Sequence, residues 1–254
     1  MLKTVVVVSE SDAPYQKALK AAEGKDVAVL RWNPEQGVPA AAAAVIADAK
    51  GLSSAVEVAT AIGAHLEELL CLIADAIDCR EEFRPGSYRR VLAHATRFAQ
   101  ALEFSPSEQL VLERGTLVRD IGKLRVPNKV LLKSDLLTYH ERATLQEHPA
   151  FGAELLLAGH ALRDVVDIVR SHHESHDGTG YPDGLEGDQI PRLARIVKIV
   201  DVYCAMTSPR HYRKGQSTHE QALDYLREER GTHFDPELLD RFISAEIGRP
   251  PEME

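Results

Sequence analysis

The sequence predicts a mainly α-helical protein with a small α/β segment at its amino-terminal end. Two β-branched runs, TVVVV at 4–8 and VAVLRW at 27–32, flank a stretch with helical character. A proline-free segment follows, in which apolar residues recur at spacings of three and four. From residue 84 onward the chain reads as helices separated by capped turns, so the carboxyl-terminal part is predicted to be all-α.

Residues 1–50 form the predicted α/β segment, a short βαβ unit in which Gly24 ends the helix between the two strands. The segment resembles the beginning of a response-regulator receiver domain, but Ser9 and Glu10 stand where an acidic pair is expected. About fifty residues are too few for a complete receiver. After a linker containing proline and glycine, the alanine-rich stretch at 40–50 predicts a further helix.

Residues 53–84 form a predicted long helix that links the two parts of the chain. Its apolar residues make a heptad-like seam along one side. Two interpretations of the seam stay open, because it can pack against the chain's own carboxyl-terminal domain or form a homodimer. The seam residues are Ala59, Ile62, Leu66, Leu69, Ile73 and Ala76.

Residues 85–254 form the predicted all-α domain, which begins where RPGS at 84–87 breaks the linking helix. Two helix starts in this domain carry a capping box, SPSE at 105–108 and TYHE at 138–141. In a capping box, a hydroxyl side chain and a glutamate three positions later each bond to the backbone of the other residue. The two motifs therefore predict helices that begin directly after residues 105 and 138.

The bulk composition narrows the class of protein. The chain has 254 residues, of which 44% are apolar, enough for a large core. Its formal net charge of −9 disfavours a nucleic acid polymer as a partner. No apolar run reaches the roughly 18 residues that span a membrane, and the amino terminus lacks a signal-like pattern, so we expect a cytoplasmic protein without membrane contact. The 3 cysteines lack a paired spacing and are expected to be free thiols.

Histidines and carboxylates at the edges of apolar stripes form a candidate metal site. In LRDVVDIVRSHHE the stripe leads to His172, with His173 beside it, and His148 precedes a proline at a predicted helix break. Asp120 and Asp201 border the apolar faces of two further predicted helices. Imidazole and carboxylate together are ligands for iron, manganese or zinc in hydrolytic sites, although salt bridges could also satisfy each residue individually.

LVRDIGK at 117–123 places an arginine and an aspartate inside a run predicted to be one helix. In that helix Leu117, Val118 and Ile121 face the core. Charged side chains at the border of a core need partners, because burying an unpaired charge is costly. This stretch therefore predicts that other charged groups lie close to it.

The loop DGTGYPDGLEG at 177–187 follows the histidine pair and completes a set of motifs that resembles the HD-GYP family. This family is the bacterial subgroup of HD-type metal phosphohydrolases associated with cyclic di-GMP. The resemblance implies an all-α HD-type helical domain, a divalent metal centre and hydrolysis of a phosphodiester. It runs from about Pro85 to Phe242 and rests, in order, on RDIGKLRVP, LLKSDLLT, EHPAFGAELL, HHESHDGTGYPDGL, IPRLARIVKIVDVY, SPRHYRK and THFDP.

The resemblance also assigns roles to individual residues. It implies that Lys123 contacts the phosphate or assists protonation beside the catalytic Asp120. Arg210 and Arg213 would hold the other phosphate, and Tyr181 would shape the pocket or bind a signalling partner domain through its loop. The metal ligands that the resemblance implies and this chain retains are Asp120, His148, His172, His173 and Asp201.

The family pattern fails at two positions of the first metal site. Where the family has the histidine of the HD pair and an earlier histidine, this chain has Arg119 and Ser87. The resemblance places these two positions, with Asp120 and Asp201, around one metal, whereas the other metal keeps its full ligand set. We therefore expect one divalent ion, iron or manganese, with two ions as the alternative. We also expect the guanidinium of Arg119 to occupy the space of the missing ion and to pair with Asp201 or Asp120.

Three functional hypotheses follow from the sequence. The first is a metal-dependent phosphodiesterase that acts on cyclic di-GMP or a related dinucleotide. The second, which the lost ligands favour, is a signalling or interaction module that keeps the fold and one metal but has weak or absent catalysis. The third is a purely structural domain, which would leave the presence of the inward histidines and carboxylates unexplained.

Overall fold

The computed structural model describes residues 3–8, 27–32, 44–46, 66–80, 86–159, 161–208 and 217–249. The chain divides into two compact units, Met1–Leu70 and Cys71–Glu254. The division falls inside a helix at 66–80, which belongs to the stretch predicted as a linking helix. The rest of the predicted helix at 53–84 lies outside the described residues, and the division into 1–50, 53–84 and 85–254 stays a prediction.

The amino-terminal unit contains a parallel sheet of three strands, in the order β2-β1-β3. The strands are β1 (Lys3–Val8), β2 (Val27–Trp32) and β3 (Ala44–Ile46). The two stretches predicted as strands thus form β1 and β2, while the helix predicted between them lies outside the described residues. The βαβ connection therefore stays a prediction.

The alanine-rich helix predicted over 40–50 is wrong at Ala44–Ile46, where the structure has β3. This strand pairs in parallel with β1, with Val5 opposite Ala44 and Val7 opposite Ile46. Helix propensities differ by less than about 1 kcal/mol per residue, so strand pairing with a distant part of the chain can outweigh the preference of alanine for helix. Val45 and Ile46, which are β-branched, fit this outcome.

The described part of the chain after residue 65 is mainly helical. Short 3₁₀ helices lie at Ile121–Arg125, Arg163–Val165 and Gly187–Gln189. Among the described residues, no helix combines the length and the apolar character needed to cross a membrane. The α-helices are α1 (66–80), α2 (Ser87–Ala101), α3 (Pro106–Val118), α4 (Asn128–Leu131), α5 (Tyr139–Gln146), α6 (His148–Leu157), α7 (Val166–Ser171), α8 (Arg192–Thr207), α9 (His219–Glu228) and α10 (Pro236–Ser244).

The two predicted capping boxes are confirmed. Ser105 begins α3 with Glu108 as its partner, and Thr138 begins α5 with Glu141. A third box, between Thr218 and Gln221, begins α9 and was not recognised in the sequence. It uses glutamine in place of glutamate and has the same spacing.

The buried face of α1 differs from the predicted seam. Leu70, Ala74 and Ile77 are buried, whereas the seam residue Leu69 and the neighbouring Leu72 are exposed. The burial pattern in this helix is therefore displaced by about one residue, equivalent to about 100° around the helix. A homodimer formed through 53–84 stays a prediction.

The core of the carboxyl-terminal unit surrounds α8. This helix is buried on more than one side, as expected for a helix with apolar residues around most of its circumference. It packs against α2, α7, α9 and α10. Each fully buried large apolar side chain contributes about 1.5–3 kcal/mol. The central residues of α8 are Ile196, Val197, Ile199, Val200 and Tyr203.

The LVRDIGK stretch is not the single helix that the sequence predicted. Helix α3 ends at Val118, and a 3₁₀ helix begins at Ile121, so Asp120 lies at a junction between the two. Leu117, Val118 and Ile121 are buried, as predicted. The side chain of Asp120 at this junction is 15% exposed.

A close contact between backbones fixes the position of this junction. A Cβ atom on Gly122 would overlap the carbonyl oxygen of His148 at the start of α6. On the facing side, a Cβ atom on Gly152 would lie 2.7 Å from a methyl group of Val169. The absence of side chains at these glycines lets the 3₁₀ helix, α6 and α7 approach one another. Asp120 and His148 are held together as a result.

Candidate metal centre

Four residues from three parts of the fold bring possible metal-ligating atoms together. Asp120 lies at the junction after α3, His148 begins α6, and His172 and His173 directly follow α7. One ligand atom from each residue lies within 4.8 Å of the others. These are four of the five residues that the sequence resemblance assigned to metal binding.

The ring orientations of His148 and His172 suit metal binding. The Nδ1 atom of His148 lies 2.9 Å from the carbonyl oxygen of Leu145, and that of His172 lies 2.8 Å from the oxygen of Val169. In a neutral imidazole each Nδ1 must therefore carry the proton and donate it, which leaves a lone pair on Nε2. Both Nε2 atoms are buried without a hydrogen-bond partner among the described residues.

The two Nε2 atoms face Asp120 but do not form good hydrogen bonds with it. The distances to Oδ1 of Asp120 are 3.4 Å from His148 and 3.9 Å from His172. A buried polar atom without a partner is costly. A divalent ion ligated by imidazole nitrogens and a carboxylate would satisfy these atoms, and the backbone carbonyls behind each ring are a common outer support for metal ligands. The residues therefore fit a metal ion.

The local electrostatics keep this group ready to bind a cation. Burial lowers the pKa of His172 to about 4, with a further contribution from His148. Burial also lowers the pKa of His173 well below its usual value. For Asp120, burial opposes the charge, but Lys123 and Arg119 outweigh it and hold the pKa well below its usual value. At neutral pH the two imidazoles are neutral and the carboxylate is charged, as metal ligation requires.

Arg119 bridges two of the acidic residues and is itself only 7% exposed. Its Nε lies 2.9 Å from Oδ1 of Asp201, and its Nη2 lies 3.3 Å from Oδ2 of Asp120. Its Nη1 donates to the carbonyl oxygen of Thr116 at 2.9 Å. The expectation that Arg119 pairs with these carboxylates is confirmed. The guanidinium spreads its donors over separate acceptors and does not grip one carboxylate with two of them.

The surroundings of Arg119 hold its charge firmly. Burial opposes the charge, but the carboxylates of Asp201, Asp120 and Asp78 outweigh it and raise the pKa above its usual value. Asp78 lies on α1, and its carboxylate also accepts the backbone N–H of Tyr88 at 2.7 Å. A permanent cation therefore lies among acidic groups that come from separate parts of the fold.

The remaining predicted site residues fall in different places. Asp201 is outside the group of four, because the structure engages its Oδ1 with Arg119. The Nζ of Lys123 lies 3.1 Å from Oδ1 of Asp120, beside the candidate ligands. Ser87 is the first residue of α2. Arg210 and Arg213 lie outside the described residues.

Tyr181 joins the candidate centre through its ring. The ring stacks on that of His173, with centroids 4.8 Å apart and planes 21° apart. Burial raises the pKa of its phenol above the usual value, so the hydroxyl stays protonated at neutral pH. The glycine-rich loop at 177–187 thus places an aromatic residue and a hydrogen-bond donor next to a candidate ligand.

Sequence reasoning missed the role of Glu174, which is 1% exposed. Its carboxylate accepts the backbone N–H groups of Asp183 at 2.7 Å and Leu185 at 3.2 Å. Glu174 therefore holds the second half of the glycine-rich loop against the end of α7. The available signal was a glutamate directly after a histidine pair and before a loop whose backbone N–H groups need acceptors.

Comparisons with known proteins agree with this fold. The family described as HD domain matches residues 72–238, and the chain belongs to this family. A curated relative is the cyclic di-GMP phosphodiesterase response regulator RpfG of Xanthomonas campestris pv. campestris, 38% identical over 179 residues. That match covers 69% of this chain and 47% of the relative. The resemblance identified from the sequence motifs is confirmed.

Two further matches extend the comparison. The 3'3'-cGAMP-specific phosphodiesterase 2 of Vibrio cholerae serotype O1 is 32% identical over 193 residues, 72% of this chain and 37% of the relative. The chain thus spans less than half the length of either curated relative. The solved structure of Bd1817, an HDG"Y"P protein from Bdellovibrio bacteriovorus, matches with a TM-score of 0.52 at 21% identity. That match covers 62% of this chain and 50% of the other, and it shows a shared fold.

Proposed function

We propose that this chain is a cyclic di-GMP signalling protein with a metal-binding phosphodiesterase fold in which one of two metal sites is lost. Hydrolysis is then weak or absent, and nucleotide binding is the retained property. The observation that carries the proposal is the position of Arg119, whose guanidinium bridges Asp201 and Asp120 at 2.9 Å and 3.3 Å. A side chain that holds both carboxylates competes directly with a cation for them.

The retained site would hold one divalent ion through Asp120, His148, His172 and His173. We favour iron or manganese, following the family resemblance, because carboxylate and imidazole suit both. When bound, such an ion supplies Lewis acidity and lowers the pKa of an attacking water. Losing the second ion removes part of the charge that would neutralise the phosphoryl oxygens, so a slower reaction is expected.

Side chains of the chain itself would then bind the phosphate groups of a ligand. Lys123 lies beside Asp120 and can donate to a phosphate oxygen from there. Tyr181, whose ring stacks on that of His173, can donate through its phenol. A local cationic group of this kind can attract an anionic ligand in spite of the overall charge of −9. Arg210 and Arg213 would hold the second phosphate of a cyclic dinucleotide.

The choice of ligand follows the relatives. RpfG is described as acting on cyclic di-GMP, and the Vibrio cholerae relative on 3'3'-cGAMP. Both ligands are cyclic dinucleotides with two phosphodiester groups, so we propose this class for the present chain. Contact of the loop at 177–187 with a signalling partner domain, and a homodimer through 53–84, are further parts of the proposal.

An active phosphodiesterase is the second candidate function. The complete set of four ligands favours it, because one well-held ion is sufficient to activate a water. Arg119 favours it as well, since arginine can stabilise phosphoryl charge where a metal does so in other enzymes. The two candidates differ in turnover, while both require the same fold and the same retained metal.

One purified sample can distinguish the two candidates. Protein loaded anaerobically with manganese or iron is given cyclic di-GMP and 3'3'-cGAMP, and binding and product formation are measured in parallel. We expect saturable binding with slow or absent formation of linear dinucleotide or GMP. Rapid metal-dependent hydrolysis that is lost in His172→Ala would establish the active enzyme, and a protein that neither binds nor hydrolyses either nucleotide would contradict both candidates.

A further inference from the structure

Lys198 is a partly buried lysine next to the candidate metal centre with no role in the proposed chemistry. It lies on α8, three residues before Asp201 and so on the same side of the helix. Its Nζ donates to the hydroxyl oxygen of Ser175 at 2.9 Å and to the carbonyl oxygen of His173 at 3.3 Å. The lysine thus connects α8 to the turn that carries a candidate ligand.

The carbonyl oxygen of His173 is a shared acceptor. Besides the ammonium of Lys198, it accepts the backbone N–H of Tyr181 at 3.4 Å. The ring of Tyr181 stacks on the ring of the same histidine. A Cβ atom on Gly180 would overlap the backbone nitrogen of Ser175, so the loop lies directly against this turn. Lys198 and Tyr181 therefore both hold the main chain of His173, and Tyr181 also holds its side chain.

The cost of placing an ammonium here argues for a specific purpose. The side chain is partly buried, and removing a charged group from water costs free energy. A methionine would fill a similar volume without that cost. The two hydrogen bonds to the turn are what a neutral side chain at this position would lack.

We infer that Lys198 is a positioning residue that fixes the main chain at His173 and thereby aims its imidazole at the metal. The inference rests on the proposed metal site. Residues behind metal ligands typically change metal affinity by about 10- to 100-fold when they are removed. Loss of the ammonium should make the backbone at His173 less fixed and weaken the binding of metal by this one of the four ligands. The hydrogen bonds that hold the other three ligands are not affected.

The test uses cobalt(II) as the probe, because its visible absorption reports the number and type of its ligands. The full chain is titrated with Co²⁺ to give the affinity for cobalt, and competition with Mn²⁺ gives the affinity for manganese. We expect Lys198→Met to weaken binding by about 10- to 100-fold and to alter the absorption of the bound cobalt. Lys129→Met removes the same charge from an exposed helical position and should match the wild type.

The possible outcomes distinguish a failure of the role of Lys198 from a failure of the proposed metal site. A wild-type chain that binds no Co²⁺ overturns both. A wild type that binds, together with a folded Lys198→Met that shows wild-type affinity and spectrum, overturns only the inference, even if the variant unfolds at a lower temperature. If Lys198→Met does not fold, Lys198→Ala removes the same two hydrogen bonds and leaves room for water. Unchanged affinity and spectrum in that variant would also overturn the inference.

Discussion

Replacement of Arg119 by methionine tests whether a guanidinium stands in for a cation. The change removes the charge, the hydrogen bonds to Asp201 and Thr116 and the ion pair with Asp120, but keeps most of the apolar stem. At an effective dielectric constant of about 20, an ion pair near 3 Å is worth roughly 5 kcal/mol before the cost of desolvation. Removing one partner of a buried pair generally costs about 3–5 kcal/mol, because the other charge is left behind.

The structure places Arg119→Met at the lower end of that range. The side chains of Asp120 and Asp201 are 15% and 24% exposed, so water can partly solvate them once the arginine is gone. Asp120 also keeps Lys123 as a partner at 3.1 Å. We therefore expect a loss of about 3 kcal/mol in the free energy of unfolding when metal is removed with a chelator.

Urea unfolding with and without manganese provides the assay. If the guanidinium occupies a cation pocket, the acidic groups left by Arg119→Met should bind Mn²⁺. Saturating Mn²⁺ should then stabilise the variant more than the wild type and recover at least half of the loss. Arg230→Met, which breaks an exposed pair with Asp240, should cost less than about 1 kcal/mol and serves as the control. Equal stabilisation of wild type and Arg119→Met by Mn²⁺ would refute the reasoning.

Two further predictions concern the frame around the centre and the core. Gly122→Ala should force the 3₁₀ helix away from α6, costing at least about 2 kcal/mol in unfolding free energy and lowering Mn²⁺ affinity at least about tenfold. Burial, together with the charges of Arg90 and Arg97, lowers the pKa of His94 from 6.5 to about 4. Between these two pH values the histidine is protonated in the unfolded chain and neutral in the folded chain. The contribution of His94 to the free energy of unfolding should therefore be present above pH 6.5 and be lost as the pH falls toward 4. For this partly exposed ring we expect a loss of about 1 kcal/mol between pH 7 and pH 5. His94→Gln should remove this contribution to the pH dependence.

Each of these predictions has a matched control. Gly159→Ala places a methyl group at an ordinary 3.7 Å from its nearest neighbour and should leave stability and metal affinity nearly unchanged. His140→Gln changes an exposed histidine and should keep the wild-type dependence of stability on pH. A Gly122→Ala protein with wild-type Mn²⁺ affinity, or a His94→Gln protein with the full wild-type pH dependence, would show the corresponding argument to be wrong.

Local patterns in the sequence predicted the parts of the site that lie on single elements. The apolar stripe through Val165 and Val169 placed His172 inward, where it is 1% exposed. The capping boxes at Ser105 and Thr138 marked helix starts because their hydrogen bonds form within four residues. The unusual arginine at 119 predicted carboxylate partners, since a charge beside a core must be neutralised.

The features that the sequence did not reveal depend on contacts between distant elements. The meeting of Asp120 and His148 requires the close approach at Gly122, which no periodicity encodes. The functions of Glu174 and Lys198 depend on where loop backbone groups point after folding. Strand β3 forms where alanine favours helix, because β1 supplies a partner about 40 residues away along the chain.

The central claim is that one metal site persists and Arg119 fills the other. The most direct measurement is the number of iron and manganese ions per chain in protein purified without oxygen and then saturated with metal. We predict about one ion per chain, falling to none when His148 and His172 are both replaced by alanine. Two tightly bound ions per wild-type chain, or none after saturation, would contradict the account.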